Sequence, residues 1–335
     1  MTHRDKEKPF VDDGWDSVEG IHLLSHEAMA ATFRIFVVHE DAEYARQAAH
    51  AAFDEVDRLE ARLSRYIENS DVSQINNLRP GEKLVIGLDA FNCLKCAAEI
   101  YRQSGGTFDV TIGHLLGAWR NSDKTMRIPS EEELKAARSR TGMGLLKLDE
   151  ETHTVEVPAG PLLVDLGGIG KGYAVDRIGE LLKDWDIRQA LVSGGYSTVL
   201  AADAPDDKIL EKMKVSKKGW PLTLSDPRNR QEVLFRVCLG HRAISGSGLE
   251  KGGHIIDPRT AQPVRGTLAA WACAPDATTA DALSTAFMVM SPEEVKQYSM
   301  KHGEMPAMVM REAKDMKTSP GQVLRFGRWD DIICS

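Results

Sequence analysis

Apolar residues in the first part of the chain recur with two different periods. The run FRIFVV, residues 33–38, is rich in β-branched and aromatic side chains and predicts a strand. Over residues 41–64 apolar positions recur every three or four residues, which predicts an amphipathic helix. Further helices are predicted over 89–103 and over 130–140, where a serine followed three residues later by a glutamate forms a capping-box pattern. This part of the chain is therefore predicted to be mainly helical.

The pattern changes in the centre of the chain. LLVDL, residues 162–166, reads as a buried strand that leads into a glycine-rich turn and then into a helix beginning near Tyr173. ALVS, residues 190–193, is the next predicted strand, and residues 202–232 are polar enough to predict an exposed excursion. The remaining predicted elements are a strand at 269–274, helices at 279–290 and 292–302, and a strand at 307–311.

Helices and strands alternate irregularly, and this arrangement favours an α+β fold over an α/β fold. At 335 residues and 42% hydrophobic composition, the chain is long enough to bury a sizeable core. We expect residues 1–20 to form a flexible tail, and the rest of the chain could hold one large domain or two lobes.

Composition and charge narrow the function classes. A formal net charge of −8 argues against a general nucleic-acid binder, which is usually basic. No stretch approaches the roughly 20 apolar residues of a membrane span. The N-terminus is charged and lacks the apolar core of a signal peptide, so a cytoplasmic location is expected for the sequence as written, or export if a signal was removed.

Cysteine usage points away from a disulfide-stabilised fold. Five cysteines are an odd number, and they are scattered along the chain rather than arranged as a disulfide framework. Cys93 and Cys96 form a C-x-x-C pair inside a predicted helix, without a second pair or a nearby histidine to complete a zinc set. Packing is favoured for this pair over metal or redox chemistry.

The segment VDLGGIGKGYAVD, residues 164–176, carries the strongest chemical pattern. A strand, a glycine turn and a helix place backbone N–H groups and a helix N-terminus where phosphate binds, and Lys171 adds a positive charge there. The dinucleotide fingerprint fails because Tyr173 stands at its third glycine, and the Walker pattern fails because Gly172 follows the lysine. A simple tight turn is the alternative interpretation.

Three further clusters carry polar side chains among glycines or on one helix face. In GGTFDVTIGHLLGAW, residues 105–119, the acid Asp109 either contributes to a site or caps a turn. In SGSGLEKGGHIIDPRTAQP, residues 245–263, a histidine lies near a carboxylate and is either a general base or a structural residue. In TTADALSTAF, Asp281 and Thr285 share one helix face and suit Mg²⁺, unless the threonine hydroxyl bonds back to the Asp281 carbonyl.

These four segments, in this order and with a Gly-Gly after the strand at 190–193, resemble the ApbE family of flavin transferases. The similarity runs from about residue 29 to about residue 310. It implies that residues 21–335 form a single α+β domain with two lobes and mixed sheets, and that this domain binds FAD. Eight positions of this chain match flavin-binding positions of the family, namely Met29, Tyr66, Thr107, Phe108, Asp109, Asp165, Lys171 and Ile256. Ser245 in the third segment is a further candidate for this site.

The resemblance also implies a metal site and a reaction. Asp281 and Thr285 match magnesium ligands, with the carbonyl of Gly168 as the third, and His254 matches the base for the acceptor hydroxyl, oriented by Asp257. The implied reaction is Mg²⁺-dependent transfer of FMN from FAD to a threonine or serine of an acceptor flavoprotein, with release of AMP. FAD hydrolysis to FMN and AMP, and flavin binding without catalysis, are the alternatives.

Several positions depart from the family pattern. Ala30 and Ala31 replace a Gly-Thr pair after the methionine, and Tyr196 stands where a short polar residue is usual. The segment between Ser245 and His254 is shorter than in the family. The first of these changes adds Cβ atoms where the backbone approaches a ligand.

Overall fold

The computed structural model describes residues 13–121, 123, 125–249, 255–312 and 321–334. A 3₁₀ helix at Asp13–Ser17 opens the described chain, and a second one covers Met143–Leu145. The α-helices in the described part are α1 (Ala42–Leu63), α2 (Asp71–Asn76), α3 (Leu88–Gln103), α4 (Gly113–Trp119), α5 (Glu131–Arg138), α6 (Gly170–Asp184), α7 (Asp207–Lys212), α8 (Ala277–Val289) and α9 (Pro292–Lys301).

The strands form one large sheet and three small ones. The strands are β1 (Ile21–Ala28), β2 (Ala31–Val38), β3 (Lys83–Val85), β4 (Lys147–Asp149), β5 (Thr154–Glu156), β6 (Ala190–Gly194), β7 (Thr198–Ala201), β8 (Trp220–Asp226), β9 (Asn229–Leu239), β10 (Arg242–Gly248), β11 (Ile256–Asp257), β12 (Gln262–Pro263), β13 (Thr267–Ala274), β14 (Ala307–Arg311) and β15 (Gln322–Phe326). The large sheet has the order β1-β2-β6-β7-β10-β13-β14-β15, and each pair in it is antiparallel.

The helical face of the large sheet holds the main hydrophobic core. The inner faces of α1, α3, α6 and α8 pack together with alternate residues of the sheet, among them Phe33 and Ile35 of β2. In α1 the buried positions are those that the three- and four-residue spacing predicts, including Ala45, Val56 and Leu63. This layer fixes α6 and α8 against the centre of the sheet, where the candidate site lies.

The other face of the sheet holds a second core built around tryptophans. Trp15, Trp220 and Trp329 are buried there together with residues of the β8–β9 hairpin. Part of the predicted tail is thus a short helix whose Trp15 is buried. The prediction of an exposed excursion over 202–232 is wrong, because β8 alternates buried and half-buried residues and its apolar half closes this core.

A disulfide joins the second core to the C-terminal segment, although the sequence predicted no disulfide framework. Cys238 of β9 pairs with Cys334, with their Cα atoms 5.9 Å apart and a sequence separation of 96. Backbone hydrogen bonds flank the bond on both sides, from the Cys238 N–H to the carbonyl of Ile332 and from the Cys334 N–H to the carbonyl of Arg236. Cys93 and Cys96 are free thiols on α3, the first buried and the second exposed.

The predicted strand at 162–166 is also wrong, whereas the other predicted elements are confirmed within a few residues. Leu163 makes a single parallel bridge to Ile112. The N–H of the next residue, Val164, donates to the side chain of Asn76. The Asp165 N–H donates to the carbonyl of Val110. The segment is extended and buried, but its hydrogen bonds go to residues 110–113 and to the end of α2, and not to a partner strand.

The predicted α+β class is confirmed, since antiparallel sheets are combined with helices packed on one face. None of the helices in the described ranges combines the length and the apolar character needed to cross a bilayer.

Candidate active site at the end of the central sheet

Helix α8 begins at the edge of the site, and two aspartates hold its first turn. Asp276 caps the helix by accepting the Thr279 N–H at 2.7 Å. Asp176 of α6 accepts the N–H groups of Ala277 and Thr278, at 2.7 and 2.8 Å, and the Thr278 hydroxyl at 2.5 Å. These bonds satisfy amide groups that a helix N-terminus leaves free, and they lock α6 to α8.

The carboxylate of Asp281, one turn into α8, is the centre of the site. It is 3% exposed, and four donors surround it. Its Oδ1 atom accepts the hydroxyls of Thr198 and Ser245 at 3.1 and 3.2 Å. Its Oδ2 atom accepts the Gly172 N–H at 3.1 Å and lies 3.3 Å from the Lys171 ammonium. The structure therefore brings the predicted residues Lys171, Ser245 and Asp281 into direct contact.

Two glycines of the central motif allow this close approach. A Cβ atom on Gly172 would lie 2.3 Å from the Ala277 carbonyl oxygen, so only glycine permits α6 to reach α8 here. A Cβ atom on Gly168 would lie 3.3 Å from the Thr285 hydroxyl and 3.2 Å from the Phe108 ring. Gly168, Phe108 and Thr285 are therefore neighbours, as the prediction of a shared site requires.

Further hydroxyl groups line the path between Asp281 and Thr285. The Ser247 hydroxyl lies 2.8 Å from that of Ser284 and 3.2 Å from that of Thr285. The Ser284 hydroxyl donates to the Asp281 carbonyl at 2.9 Å. Ser284 thus makes the hydrogen bond to the Asp281 carbonyl that was the alternative interpretation for Thr285. The Thr285 hydroxyl instead contacts Ser247 of the sheet.

The loop after α3 forms a second wall. Thr107, Phe108 and Asp109 are all buried, and the Asp109 carboxylate accepts both the N–H and the hydroxyl of Thr111, at 2.8 and 2.7 Å. Burial raises the pKa of Asp109, and the Thr111 hydrogen bonds oppose that rise. The turn alternative considered for Asp109 thus has structural support, while its loop still borders Gly168.

Asp165 lies at the mouth of the site and connects it to Tyr66. The Asp165 carboxylate accepts the Gly167 N–H at 2.8 Å and forms an ion pair with Arg65, Oδ2 to Nε, at 3.2 Å. The Arg65 guanidinium stacks on the Tyr66 ring at 4.9 Å and bonds its hydroxyl. Tyr66 is 75% exposed, so its ring is available to a planar ligand.

The remaining predicted residues lie farther from Asp281. Met29 occupies the two-residue turn between β1 and β2, where it and Ala30 both have positive φ angles. Ile256 packs against α4 in a small apolar cluster, and the Asp257 carboxylate binds the guanidinium of Arg259. The predicted base His254 lies outside the described residues, so its relation to Asp257 stays a prediction.

The glycine turn itself does not offer most of its amides to a ligand. The Gly167 N–H donates to Asp165, those of Ile169 and Gly170 donate to the Leu166 carbonyl, and that of Gly172 donates to Asp281. The anion-binding interpretation of this turn therefore depends on the Lys171 ammonium, which is half-buried at the edge of the site.

Oxygen atoms dominate the site, which fits a hard divalent cation. Asp281 and Thr285 supply a carboxylate and a hydroxyl, and Gly168 brings a backbone segment beside the hydroxyl. In the described ranges no cluster of three or more His, Cys, Asp or Glu side chains is placed to hold a metal. One carboxylate with neutral oxygens suits Mg²⁺, which commonly completes its shell with substrate phosphates and water.

Burial perturbs two further ionisable groups next to the site. The pKa of Asp176 is raised to about 6, chiefly because burial disfavours its charge and despite the hydrogen bonds from Thr278 and Ala277. Burial also raises the pKa of Tyr173, whose hydroxyl donates to Asp89 at 3.0 Å. Asp176 therefore holds α6 to the start of α8, and Tyr173 holds α6 to Asp89 of α3.

A cleft of about 810 Å³ lies at the opposite end of the large sheet. It borders the start of β6, the end of β7, the start of β10 and the Cys238 side of the disulfide. We infer that the active site lies at Asp281 and not in this cleft. Polar groups converge on the two buried carboxylate oxygens of Asp281, whereas the cleft is lined by charged side chains of both signs. These charged residues include Asp203, His241, Arg242, Glu304, Arg328 and Asp331.

Sequence reasoning missed several residues of the site. Thr198, Ser247, Ser284 and Arg65 each contact a predicted residue. Of these residues Ser247 had a usable pattern, since it lies two residues after Ser245, on the same side of its strand.

Comparison with known proteins finds relatives over most of the chain. The model of the ApbE family matches residues 29–309. An FAD:protein FMN transferase of Klebsiella pneumoniae is 26% identical over 314 residues, covering 88% of this chain and 86% of the relative. An FAD:protein FMN transferase of Escherichia coli K12 is 24% identical over 315 residues, covering 89% and 86%.

Solved structures show the same fold. The ApbE protein of Thermotoga maritima is 27% identical, with a TM-score of 0.78, and the match covers 92% of this chain and 98% of that one. The flavin transferase ApbE of Vibrio cholerae is 23% identical, with a TM-score of 0.79, and the match covers 93% and 98%. Because the family model spans most of the sequence, this chain belongs to the ApbE family.

Proposed function

We propose that this protein is an FAD:protein FMN transferase that attaches FMN to a hydroxyl group of an acceptor protein. One observation carries the proposal. Lys171 and Ser245, from two separate motifs of the family pattern, both contact the buried carboxylate of Asp281, which belongs to a third motif. Family membership and relatives named for this activity support the same conclusion.

In the proposed reaction the acceptor hydroxyl oxygen attacks the FMN-side phosphorus of FAD. A new P–O bond forms, the pyrophosphate P–O bond breaks, and AMP leaves with the bridging oxygen. Phosphoryl transfer of this kind depends mainly on positioning and on neutralising negative charge. We assign removal of the hydroxyl proton to His254, with Asp257 orienting it.

The proposed metal is Mg²⁺, held by Asp281, Thr285 and the Gly168 carbonyl. When bound, it neutralises negative charge on the pyrophosphate. The Asp281 carboxylate already accepts four donors, close to its full capacity, so a cation needs one of them to leave. Lys171 is the donor on a flexible side chain and makes the longest contact, so we infer that it moves from Asp281 to the pyrophosphate.

FAD would bind between the mouth of the site at Tyr66 and the loop after α3. Tyr66 offers an exposed ring at the mouth, and Phe108 borders Gly168 within the site. Met29, Thr107, Asp109, Asp165 and Ile256 remain the proposed flavin contacts by their match to the family.

The test is mass spectrometry of a candidate acceptor protein after incubation with FAD, Mg²⁺ and this protein. The proposal predicts a mass increase of one FMN less one water, together with one AMP per flavin attached. Release of FMN and AMP without any acceptor modification would identify an FAD pyrophosphatase instead. Binding of FAD with neither product would identify a non-catalytic flavin-binding protein.

A further inference from the structure

The hydroxyl groups between the sheet and α8 form a chain with a defined direction. Thr198, Ser245 and Ser247 project from the same face of the sheet, since Thr198 lies opposite Ser245 in the β7–β10 register and Ser247 is two residues farther along β10. All three face α8, where they meet Asp281, Ser284 and Thr285.

The proton of each hydroxyl can be assigned from its neighbours, because a hydroxyl donates only one hydrogen bond. Ser284 donates to the Asp281 carbonyl at 2.9 Å, a far shorter contact than its 3.5 Å approach to Ser245. We therefore assign Ser247 as the donor in its 2.8 Å contact with Ser284.

This assignment fixes the state of Thr285. Since Ser247 has used its proton on Ser284, it acts as the acceptor in its 3.2 Å contact with the Thr285 hydroxyl. Thr285 then donates to Ser247, and the lone pairs of its oxygen remain free on the side of Gly168. A threonine that coordinates a cation needs this arrangement, because the cation must meet a lone pair and not a proton.

The other end of the chain restrains Asp281 in a similar way. Three contacts link Thr198, Ser245 and the Oδ1 atom of Asp281, but only two protons are available to them. However the two protons are placed among these three contacts, at least one of the two hydroxyls donates to the carboxylate. The register of β7 against β10 holds both hydroxyls in place, so the carboxylate cannot rotate without losing this bond.

We propose that Ser247 and Thr198 are positioning residues, which orient the Thr285 hydroxyl and the Asp281 carboxylate for a divalent cation through a directed hydroxyl chain. The inference rests on the proposed metal site of the preceding subsection. Residues that hold metal ligands in place usually change metal affinity by about 10- to 100-fold when they are removed. Neither residue touches the cation or the substrate in this scheme.

The experiment measures Mn²⁺ binding by electron paramagnetic resonance with FAD bound and no acceptor present, since Mn²⁺ accepts the same oxygen ligands as Mg²⁺. The variants are Ser247→Ala, Thr198→Val, Thr198→Ser and Asp281→Ala. The control is Ser299→Ala, because Ser299 on α9 is buried like Thr198 and its hydroxyl has no hydrogen-bond partner among the described residues. Melting temperatures without metal are recorded for every variant.

The proposal predicts about 10- to 100-fold weaker Mn²⁺ binding for Ser247→Ala and Thr198→Val, with recovery in Thr198→Ser and no change in Ser299→Ala. Loss of binding in Asp281→Ala alone, with Ser247→Ala and Thr198→Val like the wild type, would overturn this inference but leave the metal site in place. Wild-type affinity in Asp281→Ala, or no binding by the wild-type protein, would overturn the metal site itself and the inference with it. Equal weakening in Thr198→Ser and Thr198→Val would show that packing of the side chain matters and not its hydroxyl.

Discussion

The two ends of the large sheet differ in the kind of polarity they present. At one end, two hydroxyls, an amide and an ammonium converge on the carboxylate of Asp281, which is almost completely buried. At the other end, a cleft of about 810 Å³ is lined by charged side chains of both signs. A large volume with exposed charges costs the fold little, whereas a buried carboxylate is costly unless it is paired. We therefore infer the functional end from the costly arrangement and not from the volume of the cleft.

The largest expected effect separates the two ends by activity. Asp281→Ala should lower the rate of FMN transfer by about 1,000-fold, equivalent to about 4 kcal/mol of barrier, because it removes the carboxylate ligand of the proposed cation. Glu304→Ala, a matched removal of an acidic side chain in the cleft, should leave the rate unchanged. The measurement is the initial rate against Mg²⁺ concentration, alongside melting temperatures. A flavin transfer rate more sensitive to Glu304 than to Asp281 would reverse the assignment of the two ends.

The disulfide should give the opposite pattern, a change in stability without a change in activity. Replacing Cys238 and Cys334 by serine frees a loop of 96 residues in sequence and should lower the free energy of unfolding by about 3 kcal/mol. Urea denaturation without reductant measures this loss, and wild-type protein with reductant should reproduce it. Transfer activity of the folded double variant should equal that of the wild type. A matching loss of activity would mean that the cleft end supports the site directly.

The predicted base offers a sharper test of the site end. His254→Ala should slow transfer by about 100-fold while leaving the affinity for FAD nearly unchanged, because a general base acts on the acceptor hydroxyl and not on FAD binding. Transfer rates and FAD calorimetry on the same variant separate these effects. A wild-type rate would exclude His254 as the base, and a parallel loss of FAD binding would assign it a structural role.

The smallest expected effect concerns the support of α8 and depends on pH. The pKa of Asp176 is about 6 in the folded protein, against about 3.9 for an unfolded aspartate, so the folded state keeps its proton to higher pH. The stability contributed by this proton is fully present below about pH 4 and is lost as the pH rises through 6. The difference in unfolding free energy between the wild type and Asp176→Asn should therefore fall by about 2 kcal/mol between pH 4 and pH 6.

Denaturation of both proteins at several pH values measures this difference. Parallel stability curves for the wild type and Asp176→Asn would show that Asp176 titrates at its ordinary pKa. In that case the hydrogen bonds from Ala277 and Thr278 would balance the burial of its charge.

The helices were predictable because their patterns are local. The spacing of apolar residues located α1, and the Ser130–Glu133 capping box marked the start of α5. The segment at 162–166 was mispredicted because a buried apolar run has the composition of a strand whether or not a partner strand exists. Its hydrogen bonds go to Asn76 and to Val110, which no local pattern shows.

The candidate site was predictable only in part. Lys171 and Asp281 lie in segments whose glycines and helix spacing carry local meaning, and the structure places their side chains in contact. Thr198 was missed because one threonine after a turn has no distinctive pattern, and its role arises from the register of β7 against β10. The β8–β9 hairpin was missed because the half-buried positions of β8, a proline, a threonine and a serine, hid the alternation of Trp220, Leu222 and Leu224.

The most direct test of the central claim is the anomalous diffraction of Mn²⁺ in crystals grown with FAD. The account predicts an anomalous peak roughly 2.1 Å from oxygen atoms of Asp281 and Thr285, with the pyrophosphate density adjoining it on the side of Lys171. A peak together with FAD density in the cleft lined by Asp203, His241 and Arg328, and none at Asp281, would contradict it.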